Sequence, residues 1–234
     1  GDRGWSRGRL IRAQSPSFRL WNGRLAPTNL ASDAEIFAVA GVVDEVGRGV
    51  IQFGGDRKLG ARVAKASRCP VFYGNITQQT VAPDRWREQL TQAENMMRQG
   101  HRAYQFVMPR PGDLRYTLKT AQHFDALPTW KSVMLLPLEK RKQAFRDPEV
   151  RARLHLEAVE TPLDPTRAGD FTRRWDLQFV FRPALPKHQH LKGKSVAEIA
   201  REQDKDVLDV FLDLSLEEDL ETEFERREVN SDEA

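Results

Sequence analysis

Three short β-rich runs alternate with amphipathic helical stretches between residues 31 and 107, and this alternation constrains the fold more than any other feature. Ser32-Asp33-Ala34-Glu35 is a capping box, in which the serine hydroxyl and the glutamate carboxylate can each satisfy an orphan backbone N–H. Ile36, Val39, Ala40 and Val43 follow at helical spacing, and Gly47 is placed to end that helix in a left-handed conformation. Val50-Ile51-Gln52-Phe53 then reads as a strand stopped by Gly54-Gly55. A second helix is predicted over about 56–67, with Leu59, Val63 and Ala64 on one side. Pro70-Val71-Phe72-Tyr73 reads as the next strand, ended by Gly74-Asn75. Pro83 opens a third helix whose apolar stripe is Trp86, Leu90, Ala93 and Met97, and Gly100 closes it. Ala103–Val107 is the third strand, closed by Pro109-Arg110-Pro111-Gly112. Each connection is long enough for a right-handed crossover between parallel strands. The pattern therefore predicts an α/β fold, as part of a β/α barrel or part of a doubly wound sheet.

The flanks read differently. Residues 1–30 are rich in Gly, Ser, Pro and Asn and are expected to form an irregular arm, leaving β/α units over 31–112. Residues 113–186 are expected to be a helical and loop insertion. Short helices are predicted near Thr129–Met134 and Pro137–Phe145, a capped one opens at Asp147-Pro148, 160–170 is loop, and Trp175–Phe181 is strand-like. Residues 187–234 read as a further helical barrel segment, with a second capping box at Ser195–Glu198 and a helix over about Asp206–Glu217.

Composition excludes several classes. The net charge of +3 over 234 residues is too small to name nucleic acid as a partner. Six arginines against one acid in the first 24 residues could bind phosphate or nucleic acid, but no recognition motif accompanies them, and a solvated chain end accounts for them. No apolar run approaches the roughly 20 residues of a membrane span, and residues 1–12 hold no signal-peptide core. A single cysteine, Cys69, permits no internal disulfide, which fits a reducing compartment and a cytoplasmic location. It precedes Pro70 at the foot of a strand, where a structural thiol is expected.

Function in parallel β/α folds gathers at the carboxyl ends of the strands. The polar residues there are Gln52, Asn75 and Gln105, with Gln78 and Gln79 just beyond Asn75. Carboxamides can orient a substrate or donate to an oxyanion, but they are not proton-transfer catalysts and are poor zinc ligands. Among the histidines, His123 in Gln122-His123-Phe124-Asp125 is the best single candidate for a site residue. His188-Gln189-His190 has the H-x-H form of a zinc pair but lies among Lys187, Lys192 and Lys194, which disfavour a dication. His101 follows a helix-ending glycine, and His155 is expected to be exposed in an arginine-rich helix. No phosphate loop, G-x-S-x-G elbow or HExxH is present.

An ordered series of short motifs resembles the N-acyl-D-amino-acid deacylase branch of the amidohydrolases from about residue 20 onward. It runs through Gly23–Pro27, Ala31–Ile36, Gly47–Val50, Pro83–Arg87, Phe124-Asp125, Pro128–Trp130, Asp147–Arg151, Leu191–Ala200, Asp206–Asp209 and Asn230. The resemblance implies a partial TIM-like β/α barrel with an irregular helical insertion, a small β-sandwich, zinc, and hydrolysis of an amide by metal-activated water. In that frame the family's first H-x-H pair would precede residue 1 and its late aspartate would follow Ala234. Gln52 and Asn75 stand where the family places metal-binding imidazoles, so no metal ligand carries over. The implied partner is a small N-acyl amino acid or related amide bound by Gln52, Asn75, Gln105 and His123, with self-association through open sheet edges. The rival reading is a catalytically inactive scaffold of the same build that binds a small amide or a protein.

Overall fold

A computed structural model of the chain describes residues 9–13, 24, 30–54, 57–80, 82–108, 110–162 and 171–230, with the backbone alone at 9–13 and 54. The chain divides into two compact units, 1–110 and 111–234.

In the first unit the alternation becomes a parallel sheet. Its strands are β1 (Arg9–Ala13), β2 (Val50–Gly54), β3 (Val71–Ile76) and β4 (Ala103–Val107), hydrogen-bonded in the order of the sequence. The connections carry α1 (Asp33–Val46), α2 (Arg57–Ala66) and α3 (Arg85–Arg98). Ser32 accepts from the Glu35 N–H, and Gly47, at φ 70°, ends α1 by donating to Val43 and Asp44 carbonyls. Both termini of α1 are thus where the capping signals put them. Ile51, Phe53, Val71, Tyr73 and Ala103 alternate along the strands and form one core with Ile36, Ala40, Leu59, Val63, Ala64 and Met96. The three helices therefore cover a single face of the sheet. Gln52, Phe72, Tyr104 and Phe106 occupy the other face by the period-two rule. Phe72 stacks on Tyr104 and on Phe106, at 5.3 and 5.1 Å between ring centroids. Among the described residues there is no closed barrel, and β1 and β4 are sheet edges.

Three local expectations change. Arg9–Ala13, expected to lie in an irregular arm, is a strand in register with Arg9 opposite Val50; two apolar residues between arginines carry too little alternation to mark it. The α3 helix is turned by about one residue from the expected stripe. Gln89, Ala93 and Met96 are buried, whereas Leu90 and Met97 are exposed. β3 does not stop at Gly74-Asn75 but continues through it by a bulge, with Gly74 at φ 62°.

The second unit holds α4 (Pro128–Met134), α5 (Leu138–Arg146), α6 (Pro148–His155), α7 (Val196–Gln203) and α8 (Val207–Glu217). They pack with an antiparallel sheet of β5 (Leu114–Tyr116), β6 (Gln178–Arg182) and β7 (Glu223–Arg226), ordered β5-β7-β6. The segment read as strand from Trp175 begins as a 3-10 turn, and the ladder starts at Gln178. Stretch 187–234, read as further barrel, supplies α7, α8 and the central strand of this small sheet. Aromatic rings make its core. Trp130 stacks on Phe124 at 4.2 Å and donates its indole N–H to the Leu154 carbonyl at 3.1 Å, so its polar atom is satisfied in full burial. No described helix is long and apolar enough to cross a membrane.

Candidate functional site at the carboxyl ends of the parallel strands

Gln52, Asn75 and Gln105 lie on three adjacent parallel strands, but they do not share a face. Gln52 pairs with Phe72, and Phe72 with Tyr104. The β3 bulge sets Tyr73 and Gly74 against Gln105, so that Asn75 comes opposite Phe106. Gln52 and Asn75 thereby sit on the helix-free face with Phe72, Tyr104 and Phe106. Gln105 sits on the helix-covered face with Ala103 and Tyr73.

Arg57 explains why the bulge closes as it does. It opens α2, and its guanidinium lies against Gly74, where a Cβ would come within 2.9 Å of Cζ. One Nη donates to Gln105 Oε1 at 2.9 Å, and the other donates to the Asn75 carbonyl. Only glycine tolerates both the positive φ and that close approach. Burial pulls the Arg57 pKa down, and the charge of Arg85, at the start of α3, pulls the same way. Arg57 was absent from the sequence-based candidates. The sequence held only a partial signal, a cation in the first turn of a helix that opposes the helix dipole, and did not show its partners.

His123, expected to contact substrate, lies in the other unit, among aromatic rings. Its ring is 4.1 Å from those of Tyr116 and Phe124, and only 7% of the residue is exposed. Burial, reinforced by the Arg226 charge, holds its pKa well below the usual histidine value, so it is a neutral core residue. The apolar rings around Gln122–Phe124 drew the loop inward. His188 and His190 do not converge. His188 Nδ1 is 2.8 Å from Glu218, whereas His190 Nδ1 donates to the Lys187 carbonyl at 2.9 Å. His155, expected at the surface, bridges Glu160 and Asp206 at 3.0 and 2.9 Å. Cys69 is buried, with its N–H on Asp44 and its Sγ on the Val43 carbonyl, and burial pushes its thiol pKa up.

Among the described residues no three His, Cys, Asp or Glu side chains come together to hold a metal. Zinc favours imidazole, thiolate and carboxylate, and the carboxamides at the strand ends supply none of these. The residues placed here do not fit a zinc ion.

No protein-family model matches the chain, and no curated protein matches it. Among solved structures, the N-acyl-D-glutamate deacylase of Bordetella bronchiseptica, complexed with zinc and a phosphonate mimic of the tetrahedral intermediate, aligns with 12% identity and a TM-score of 0.41. The alignment covers 88% of this chain and 33% of that one, so the chain spans about a third of that enzyme's length. A likeness at this level carries no argument about this chain, and the fold rests on the strand order and packing described above.

Proposed function

We propose that this chain forms part of the wall of a β/α barrel in an amide hydrolase of the N-acyl-D-amino-acid deacylase kind, with Gln52 and Asn75 lining the substrate side. What supports the reading is that Gln52, at the middle of β2, and Asn75, near the carboxyl end of β3, lie on adjacent parallel strands and on the face that the described helices of this unit leave uncovered. Strand order without reversal and helices on one side are the features of a barrel wall rather than a doubly wound sheet. A carboxamide donates through its NH2 and accepts through its carbonyl. Two of them on one face can therefore hold the carbonyl and the N–H of an amide substrate. Neither can take a proton, so the attack of water is outside their role. Self-association through the open edges β1 and β4 belongs to the same reading.

A second reading, a scaffold that binds an amide without cleaving it, is favoured by carboxamides standing where the resemblance puts imidazoles. N-acetyl-D-glutamate separates the two. Calorimetric binding and release of free amine are measured on the chain, with and without added zinc. Binding that falls about tenfold in each of Gln52→Leu and Asn75→Leu supports the shared site, since each removes about one hydrogen bond to a polar ligand. Turnover then selects the hydrolase, whereas binding without turnover fits the amide-holding role that both readings share, since no metal-holding cluster is present among the described residues. Binding that ignores both substitutions, or no binding, removes this face from either role.

A further inference from the structure

On the other face of the same sheet, four hydrogen-bond donors gather where α2 and α3 begin. The Tyr73 side chain is fully buried, and its hydroxyl meets no hydrogen-bond partner among the described residues. Gln105 accepts from Arg57 through its carbonyl, and its buried Nε2 likewise meets no partner among the described residues. Arg57 and Arg85 are both half-buried, and neither is in an ion pair among the described residues. Asp84, adjacent to Arg85 in sequence, is bonded to Arg87 at 3.2 Å. Tyr73 stands opposite Gln105 at the β3 bulge, Gln105 is bonded to Arg57, and the charge of Arg85 acts on that of Arg57.

This arrangement is costly as it stands. Buried donors without partners lose their hydration with no return, and two cations whose fields overlap repel each other. The cost is removed by a ligand that brings negative charge and several acceptors. Two further features suit such a ligand. Helices α2 and α3 both start here, and helix N-termini favour anions. Arginine is also the side chain best matched to planar or tetrahedral oxyanions.

We propose that Arg57, Arg85, Tyr73 and Gln105 form a binding site for a phosphate-type oxyanion on the helix-covered side of the sheet, at the N-termini of α2 and α3. The site is separate from the face that carries Gln52 and Asn75, and it stands whether or not that face binds an amide.

The test titrates inorganic phosphate into the full chain and reads affinity by calorimetry and melting temperature by circular dichroism. Sodium chloride at matched ionic strength and acetate run in parallel. Tyr73→Phe removes only the hydroxyl oxygen, and Arg85→Gln removes a charge from a half-buried side chain. Phosphate is expected to raise the melting temperature where chloride does not, with acetate weaker. Each substitution is expected to weaken phosphate binding about tenfold or more. Without phosphate, Tyr73→Phe is expected to be as stable as the parent or more so, because it removes an unsatisfied buried group. A purely structural tyrosine would show the reverse. An equal response to chloride, no saturable phosphate binding, or affinity unchanged in both variants overturns the site. If Tyr73→Phe fails to fold, the hydroxyl was not unpartnered and the proposal also falls.

Discussion

Replacing Gly60 with alanine tests how closely α2 is seated on the sheet. Gly60 is buried within α2, and a Cβ built on it would lie 2.5 Å from Cβ of Tyr73 and 3.1 Å from its Cγ. Carbon atoms in contact rest about 3.5–4.0 Å apart, so the helix must retreat by roughly 1 Å. Tyr73 cannot yield instead, because it is fully buried and its Cβ is fixed by the strand. The retreat loosens Leu59, Val63 and Ala64, which share that core. Overpacking of this kind costs about 1–3 kcal/mol or somewhat more, against a gain of about 1 kcal/mol from alanine's helix propensity. A 2.5 Å contact on a Cβ that cannot move puts the cost at the upper end of that range, so the expected net change is a loss of about 2 kcal/mol. Gly41, inside α1, supplies the control, since a Cβ there meets nothing within 4 Å. Gly41→Ala is expected to stabilise by about 0.5–1 kcal/mol. Urea unfolding followed by far-UV circular dichroism measures both, and amide exchange in α2 and β3 localises the effect to the first unit. Two identical chemical changes in two helices should move the midpoint in opposite directions. A Gly60→Ala protein as stable as the parent would refute the close seating of α2.

Two further predictions concern the second unit. Glu218 is buried and accepts from the Ala184 and Leu185 N–H groups at 2.8 and 3.0 Å, from Thr222 at 2.7 Å, and contacts His188. Burial works to raise its pKa, but these bonds together outweigh it and hold the carboxyl below its ordinary value. A depressed carboxyl contributes stability above its unfolded pKa of about 4.3 and loses it as pH falls through the folded pKa. Glu218→Gln should therefore lower the urea midpoint at pH 7 and flatten its decline below about pH 4. A parent-like acid slope in the variant would contradict the assignment. Arg141, 8% exposed, donates to the carbonyls of Leu118, Lys119, Met134 and Leu136. Arg141→Met keeps much of the volume but leaves those acceptors bare, and an expected loss of about 2–4 kcal/mol is checked by urea unfolding.

What could be read from the sequence was what local chemistry decides. The cap at Ser32, where the serine side chain accepts from the Glu35 N–H, and the full capping box of Ser195 and Glu198 mark two helix starts, because these side chains act within one turn. Apolar alternation found Ile51, Phe53, Val71 and Tyr73 because a parallel strand over a helical layer buries every second residue. Nonlocal chemistry was not legible. The β1 strand shows only when it pairs with β2, and the unit around Trp130 and Phe124 is held by rings far apart in sequence. The surroundings of His123 were not legible because a polar residue in a loop is judged from its neighbours in sequence, whereas Tyr116 and Phe171 enclose it from elsewhere. Arg57 was overlooked because its partners, Gln105 and the Asn75 carbonyl, lie 48 and 18 residues away.

The division of polar groups between the two faces follows from a single backbone event. Without the bulge, alternation from Val71 and Tyr73 would carry Asn75 to the helix-covered face, beside Gln105. The extra residue reverses that parity and delivers Asn75 to the face of Gln52, while Gln105 stays with Tyr73. The bulge in turn requires a residue that accepts φ 62° and leaves room for a guanidinium, which makes Gly74 and Arg57 a matched pair. Arg57 then both closes the strand ends and brings its charge to the N-terminus of α2. One glycine thus separates a neutral carboxamide face from a cationic one, and the two faces can be tested for an amide and for an oxyanion independently.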